Sequence, residues 1–262
     1  MPNWQLALFA LAFVATSIGL SVSGLLATRG LIKRQLSPGH QSVASSIFLT
    51  AVGFYSILLA FVVYIVWQRF SASDQAVTEE AAALIGVFRD TQTFPEPFRS
   101  EAQQALEDYA QVGTPAEWST GGSDLIRPHN TPDLLNGVWD VYRQMDKAPG
   151  LHGAYLDAVE RLRTLENRRH LRHLASQSTL NGVFWGVLVL GAVITTLLWY
   201  TCYMDNVVMQ LALTILAASL GGIIFFLIWA LNTPFQGPVR ISQGAFQHAV
   251  QQFHAMELAP KR

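Results

Sequence analysis

The chain has 262 residues, of which 51% are apolar and only 13% are charged, whereas about a quarter of the residues in a soluble domain are charged. A purely soluble enzyme is therefore excluded, and the net charge of −1 provides no overall attraction to nucleic acid. The single cysteine, Cys202, excludes an intrachain disulfide framework and a multi-cysteine metal site.

Four apolar segments are each long enough to cross a bilayer, which takes about 20 residues in a helix. They run over Trp4–Thr28, Ser46–Gln68, Leu180–Thr201 and Asn206–Leu231. The first is too long for a secretory signal and has no preceding Lys or Arg, so we expect a retained transmembrane helix. Only a few residues separate the third and fourth segments, which predicts a tight hairpin.

The region between the second and third spans carries most of the charged residues, and we expect it to fold in water as helices. No Gly or Pro lies between Tyr55 and Ile85, so the second span is predicted to continue as a helix until Pro95 and Pro97 end it. Further helices are expected to begin at Pro97, at a cap formed by Thr131–Pro132 after a loop over Gly113–Thr131, and at His152. The last of these is expected to run into the third span without a strong breaker.

These patterns predict an all-α membrane protein. Four transmembrane helices form two hairpins, and a helical soluble insert separates the second helix from the third. The regions are a first transmembrane hairpin over 1–68, the insert over 69–179, a second hairpin over 180–239 and a C-terminal tail over 240–262.

The positive-inside rule gives conflicting answers for the side of the insert. Arg29, Lys33 and Arg34 favour a cytoplasmic loop between the first two spans, which would put the insert outside. Basic residues at the other span ends, such as Arg69 and Arg240, favour the insert's own face. We favour a cytoplasmic insert with both termini inside, and the opposite orientation stays open.

Small and hydroxylated residues recur at steps of three or four in three of the spans. They are Ser17, Ser21, Gly24 and Thr28 in the first, Ser46, Thr50, Gly53, Ser56 and Ala60 in the second, and Gln210, Thr214, Ala217 and Gly221 in the fourth. Close helix packing explains such stripes, and a permeation path in an oligomer is the alternative. For that path, the pore-lining candidates are Thr50, Gly53, Phe54, Ile57 and Phe61. The spans contain no Asp, Glu, Lys, Arg or His, which weighs against an ion-coupled pump.

Arginines are concentrated shortly before the third span, at Arg161, Arg163, Arg168, Arg169 and Arg172. Such a cluster can raise the local concentration of anions at a pore mouth, or attract anionic headgroups. Our anion-attracting candidates are Arg161, Arg168, Arg169 and Arg172. In the alternative interpretation, the arginines pair with Asp74, Glu79 and Glu80 on the helix that leaves the second span.

The sequence contains no phosphate-binding glycine loop, no calcium-loop spacing and no serine-nucleophile elbow. His170 and His173 have a spacing compatible with shared metal ligation, but no acidic or cysteine partner is fixed by spacing, so we expect a solvated pair. We therefore predict no catalytic residue, no metal site and no cofactor, and a protein that is not an enzyme.

Four segments together resemble the bestrophin-like family of bacterial membrane proteins of unknown function. They are GFYSILLAFVVYIVWQRF at Gly53–Phe70, EEAAAL at Glu79–Leu84, LASQS…GVFWGVLVLGAVIT around Leu174–Thr195 and NTPFQG at Asn232–Gly237. The resemblance runs from about His40 to Phe246. Two places depart from the family pattern: His40-Gln41 stands for His-Asn, and Asn232-Thr233 stands for Asp-Arg, so that any ion pair the family places after the fourth span is absent or altered.

The resemblance implies similarity to bestrophins, which are pentameric anion channels with four spans per subunit and a large cytosolic helical portion. No counterpart of the acidic calcium clasp of animal bestrophins is identified here, so calcium gating is not carried over. The leading hypothesis is a homo-oligomeric, passive channel for small anions in the lipid of a bacterial inner membrane, with the second span nearest the axis. The alternative is a non-conducting scaffold or sensor whose insert binds a protein partner.

Overall fold

The computed structural model of the chain describes residues 3–35, 38–113, 134–177, 179–202, 204–235 and 239–258. Within these residues every regular element is a helix, which confirms the predicted all-α class. In chain order the elements are α1 (Asn3–Gln35), α2 (Pro38–Thr91), α3 (Phe98–Asp108), a π-helical turn (Tyr109–Gly113), α4 (Leu134–Asp146), α5 (His152–Gln177), α6 (Gly182–Thr201), α7 (Val207–Leu231) and α8 (Gly244–Leu258). The predicted cap at Thr131–Pro132 and most of the loop predicted over Gly113–Thr131 lie outside the described residues.

Four stretches of helix are long and apolar enough to cross a membrane, as the sequence predicts. The helices at the first connection are longer than the predicted spans, because α1 continues to Gln35 and α2 begins at Pro38. The loop expected between the first two spans is therefore largely helical, and His40, expected in that loop, has a helical backbone. The side chains of Lys33, Arg34 and His40 are outside what the structure describes.

The predicted continuation of the second span is confirmed, since α2 is one helix of 54 residues. It ends at Thr91, where the backbone turns over Thr93 and Phe94 in i to i−3 hydrogen bonds. Pro95 follows and cannot continue a helix, because it has no backbone N–H to donate.

The expectation that α5 runs into the third span is wrong within the described residues. Residues 179–181 are not helical, and α6 begins at Gly182 with the side chain of Asn181 as its N-cap. The preceding amide, of Leu180, donates to Oδ1 of Asn232 at 2.7 Å. A side chain more than 50 positions away in the sequence therefore satisfies the backbone at this break.

The chain divides into two compact units. The first contains α1, the part of α2 up to Gln68, α6 and α7. The second contains α2 from Arg69 onward, α3, the π-helical turn, α4, α5 and α8.

The second unit has one continuous apolar core. Val77, Leu84 and Phe88 of α2 lie in it together with residues of α3, α4 and α5. The C-terminal helix α8, for which we predicted only a tail, also belongs to this core, because the ring of Phe253 stacks on that of Phe88 with centroids 4.0 Å apart. The last helix is therefore an integral part of the second unit.

Candidate functional site

The predicted pore-lining residues lie on one face of α2 that nothing in their unit covers. Phe54, Ile57 and Phe61 are 72%, 57% and 64% exposed. Thr50 is exposed beside them, and a Cβ atom added to Gly53 would meet no atom within 4 Å. We call these five residues the open face of α2.

The opposite side of α2 packs on α6. The hydroxyl of Tyr55 donates to the carbonyl oxygen of Leu188 at 2.8 Å, and the rings of Phe48 and Trp199 lie 5.5 Å apart. Val62 is buried on the same side of α2. Because these contacts fix the rotation of α2 about its own axis, they also fix the direction of the open face away from α6.

The hydroxyl groups of Thr50 and Ser56, on or beside the open face, are satisfied by their own helix. Thr50 donates to the carbonyl oxygen of Ser46 at 3.0 Å, and Ser56 donates to that of Gly53 at 2.8 Å. This pattern leaves no unpaired hydroxyl hydrogen on an apolar surface. To solvate an anion, each hydroxyl would have to rotate its hydrogen from the backbone towards the ion.

Parts of the stripes of the first and fourth spans pack against each other. Ser17 of α1 donates to the carbonyl oxygen of Ala218 at 2.8 Å, and a Cβ atom on Gly222 would lie 2.9 Å from Cα of Val14. Gln210 and Thr214 are also buried. We call Ser17, Gln210, Thr214, Ala218 and Gly222 the α1/α7 seam. The predicted Ala217 and Gly221 lie one position away from it, and a Cβ atom on Gly221 would meet nothing within 4 Å.

Helix α6 completes the packing around the α1/α7 seam. Its Tyr200 donates to the carbonyl oxygen of Ser21 at 2.7 Å, and its Trp199 donates through Nε1 to the hydroxyl of Thr214 at 2.9 Å. Gly24 is required opposite Tyr200, since a Cβ atom there would be 2.6 Å from the phenol oxygen. For these two spans, the small residues serve close helix packing.

Arg29 has a role that the sequence did not predict. Its guanidinium donates to Oε1 of Gln210 and, at 2.9 Å, to the carbonyl oxygen of Met204. From the sequence alone, Arg29 indicates only which side of the membrane the loop between the first two spans faces. In the structure it connects the end of α1 to the turn between α6 and α7, where free carbonyl groups need donors.

The most buried member of the arginine cluster is Arg172. Its Nε donates to Oε2 of Glu80 at 2.5 Å, and the side chains are only 5% and 0% exposed. The hydroxyl of Tyr109 donates to the other carboxylate oxygen, also at 2.5 Å. The π-helical turn supplies this tyrosine. Arg172 is thus part of a buried, hydrogen-bonded network and has little access to solvent.

The other arginines are more accessible. Arg168 bonds Glu79 at 2.5 Å, so the alternative prediction of pairing is confirmed for Glu79 as well as for Glu80. Nε of Arg161 lies 2.9 Å from Oδ2 of Asp90, and the Arg161 side chain remains 61% exposed. The guanidinium carbon of Arg169 lies 5.7 Å from the centroid of the Tyr109 ring. Burial raises the pKa of Asp90, and the charge of Arg161 partly offsets that rise.

Among the described residues, no group of three or more His, Cys, Asp or Glu side chains is placed to hold a metal ion. His173 hydrogen-bonds Gln177 through Nε2 at 3.1 Å. Asn232, which departs from the family pattern, accepts the backbone hydrogen bond from Leu180 described above. A neutral side chain at this position therefore has a structural role in the first unit.

A family model described as the bestrophin-like domain matches residues 15–246. No curated protein matches the chain. The matched region includes part of the first apolar helical stretch, the other three such stretches, most of the second unit and both departures noted in the sequence. The protein is therefore a membrane protein, and the chain belongs to the bestrophin-like family.

Proposed function

We propose that the protein is a homo-oligomeric, passive channel for small anions in a bacterial inner membrane, with the open face of α2 lining the path. The observation that carries the proposal is that this face has no partner in its own unit, although its stripe resembles that of the buried α1/α7 seam. Membership of the bestrophin-like family supports an anion rather than another solute.

The composition of the open face supports passive conduction. It offers Thr50, a glycine and three large apolar side chains, and no charged group that could carry a coupled proton. A path with this lining would select by hydroxyl dipoles and by hydrophobic constriction. Phe54, Ile57 and Phe61 would form the constriction.

Anion attraction would depend on the accessible arginines. Arg161, Arg168 and Arg169 precede the third span in the sequence, and a cluster of basic groups raises the local concentration of anions. Arg172 would act mainly through folding, because Glu80 neutralises it in a buried pair. We place the second unit on the cytoplasmic side, as the sequence favours.

A non-conducting scaffold or sensor is the second candidate function. The observation that favours it is the internal pairing of the arginines with Glu79, Glu80 and Asp90, which lowers the charge they present to solution. In that case the open face of α2 would contact lipid or another helix. The second unit would then bind a protein partner.

The deciding experiment is a current measurement across a planar bilayer under a chloride gradient, with purified protein and an empty-detergent control. An anion channel gives a reproducible current that reverses near the chloride equilibrium potential. A cation-selective current would reject the proposal. Silence from a well-folded oligomer over a range of voltage, pH and divalent ions would favour the scaffold.

Substitution of Arg161, Arg168 and Arg169 by Gln tests the anion-attracting role. The channel proposal predicts a lower conductance at low ionic strength, with a smaller difference at high salt because the field of exposed charges is screened. Arg143→Gln, which removes another exposed cation of the second unit, serves as the control. An unchanged conductance in the triple variant would assign the arginines to folding alone.

A further inference from the structure

Helix α8 has two different contact regions in the second unit. On its inner side, Phe246, Ala249 and Phe253 are buried in the apolar core. The main-chain oxygen of Met256 also accepts a hydrogen bond from the side chain of Gln92 at 3.4 Å. These contacts contain no ionisable group.

The second contact region lies beside the π-helical turn, where a cleft of about 470 Å³ separates part of α8 from the turn. Gln111 lies on one wall, and Gln247, Gln251 and His254 of α8 lie on the other. Ala110, Phe246 and Val250 also line the cleft, so α8 keeps some apolar contact there, but the open space leaves this edge incompletely packed. The helix is therefore less firmly held along this edge than in the core.

A carboxylate with incomplete hydrogen bonding lies at the same edge. Oε1 of Glu107, near the end of α3, is covered by protein and accepts no hydrogen bond. The nearest basic atom is Nε2 of His254, at 3.7 Å, which is too far for a hydrogen bond. Two further acids act on Glu107: Asp108 in its own helix and Glu257 on α8. An ionised carboxylate is costly in such a place.

We propose that α8 is a pH-responsive strap, whose docking on α3 and the π-helical turn tightens on acidification through Glu107, which faces His254 and Glu257 of α8. A proton on Glu107 removes the uncompensated charge and its repulsion from Glu257. This change favours the docked helix.

The direction of the pH effect follows from proton linkage. Burial first, and the charge of Glu257 second, raise the pKa of Glu107 above its ordinary value, while His254 opposes the rise. A carboxyl group whose pKa is higher in the docked state binds protons more tightly there. Its contribution to docking is complete below the ordinary glutamate pKa and is lost as the pH rises through the raised pKa.

Hydrogen exchange on the full chain in detergent tests the strap. Exchange rates of α8 peptides, corrected for the intrinsic pH effect, are compared at pH 4.5 and 7.5 with those of α4 peptides from the same digest. We expect opening of α8 to increase severalfold at the higher pH, with a limit of about tenfold for each unit by which docking raises the pKa of Glu107. Opening of α4 should not follow.

Glu107→Gln mimics the protonated carboxyl group and should keep α8 protected at both pH values. Glu101→Gln, an exposed position on the same helix, should retain the wild-type pH dependence. Wild-type protection of α8 that does not change with pH would overturn the proposal, as would an unchanged pH dependence in Glu107→Gln. If Glu107→Gln does not fold, Glu257→Gln removes the repulsion from an exposed position, and an unaltered pH dependence in that variant would overturn the proposal equally.

Discussion

The α1/α7 seam and the open face of α2 are built from similar residues but differ in what covers them. Ser17 and Gly222 of the seam contact the neighbouring helix within their unit, and a side chain larger than glycine at position 222 would meet backbone. Gly53 and Thr50 of the open face meet no such neighbour. The α1/α7 seam is packed within the first unit of the chain. The open face of α2 can be covered only by lipid, water or another copy of the chain.

This difference shows that a stripe of small residues indicates where another helix can pack closely, but does not identify what covers the stripe. Small residues permit two backbones to pack closely in lipid, but they equally leave room for a solvated path. The surrounding large residues separate the two cases. Tyr200 fills the space beside Gly24 in the first unit, whereas Phe54 and Phe61 of the open face are largely exposed.

The same contrast occurs in the second unit, where it gives the largest expected effect. Glu80→Gln would leave Arg172 charged and uncompensated in the core, and breaking a buried pair costs about 3–5 kcal/mol. Thermal unfolding of the purified protein should therefore shift strongly. Glu79→Gln, which disrupts the more exposed pair with Arg168, should cost no more than about 1 kcal/mol. Equal losses from the two variants would contradict the difference in burial.

Substitution within the α1/α7 seam is expected to have the next largest effect. Gly222→Leu places a side chain against the backbone of Val14, and overpacking of this kind costs about 1–3 kcal/mol. The matched control is Gly221→Leu, which enters open space one position away and should change stability by less than about 0.5 kcal/mol. Yield of monodisperse protein on size exclusion, followed by thermal unfolding, measures both. A tolerant Gly222 would mean that the two helices do not pack as closely as described.

Substitution on the open face should affect transport more than stability. Phe61→Ala removes a large exposed side chain without opening a cavity in the unit, so the unfolding temperature should stay near that of the wild type. If the face lines a path, the bilayer current should increase as the constriction widens. Val189→Ala, on an exposed position of α6, controls for a general effect of lost apolar surface. Equal currents in both variants and the wild type would remove α2 from the path.

Much of the fold could be predicted because the decisive signals are local. Uncharged stretches identify the four spans, and the absence of Gly and Pro up to Ile85 identifies the long α2. The break before α6 could not be predicted in this way, because it depends on a hydrogen bond from Leu180 to the distant side chain of Asn232. Apolar residues recur at helical spacing in α8, at Phe246, Ala249 and Phe253, but this spacing does not identify the surface on which the helix packs, which is set by the contact with Phe88.

The residue types of the candidate site could be predicted from the sequence, but the contacts of their side chains could not. The alternative interpretation of the sequence correctly offered Glu79 and Glu80 of α2 as partners of the arginines, since runs of charge on neighbouring helices commonly pair. It could not show that Tyr109 would donate to Glu80, because a tyrosine at an apolar position serves equally well as a core residue. The one-position difference between Ala217 and Ala218 was also undetermined, since small residues occupy both positions and only the contact with α1 selects one.

The ion pair of Asp90 and Arg161 is less buried than that of Glu80 and Arg172. Its removal should have the smallest effect on stability. Burial raises the pKa of Asp90, so the folded protein binds the proton of this group more tightly than the unfolded chain does. The wild type should therefore gain stability relative to Asp90→Asn as the pH falls from neutral through the raised pKa towards the ordinary aspartate value. The gain should stay below about 1 kcal/mol, because the carboxyl of Asp90 is partly solvated and the charges of Arg161 and Arg89 oppose the rise of its pKa. Unfolding temperatures of both proteins, measured from pH 7 to pH 4, test this prediction. If the wild type instead loses stability relative to Asp90→Asn on acidification, the attraction of Arg161 outweighs the burial of Asp90. The pair would then resemble the buried pair of Glu80 and Arg172, in which the ionised carboxylate is stabilised by its partner.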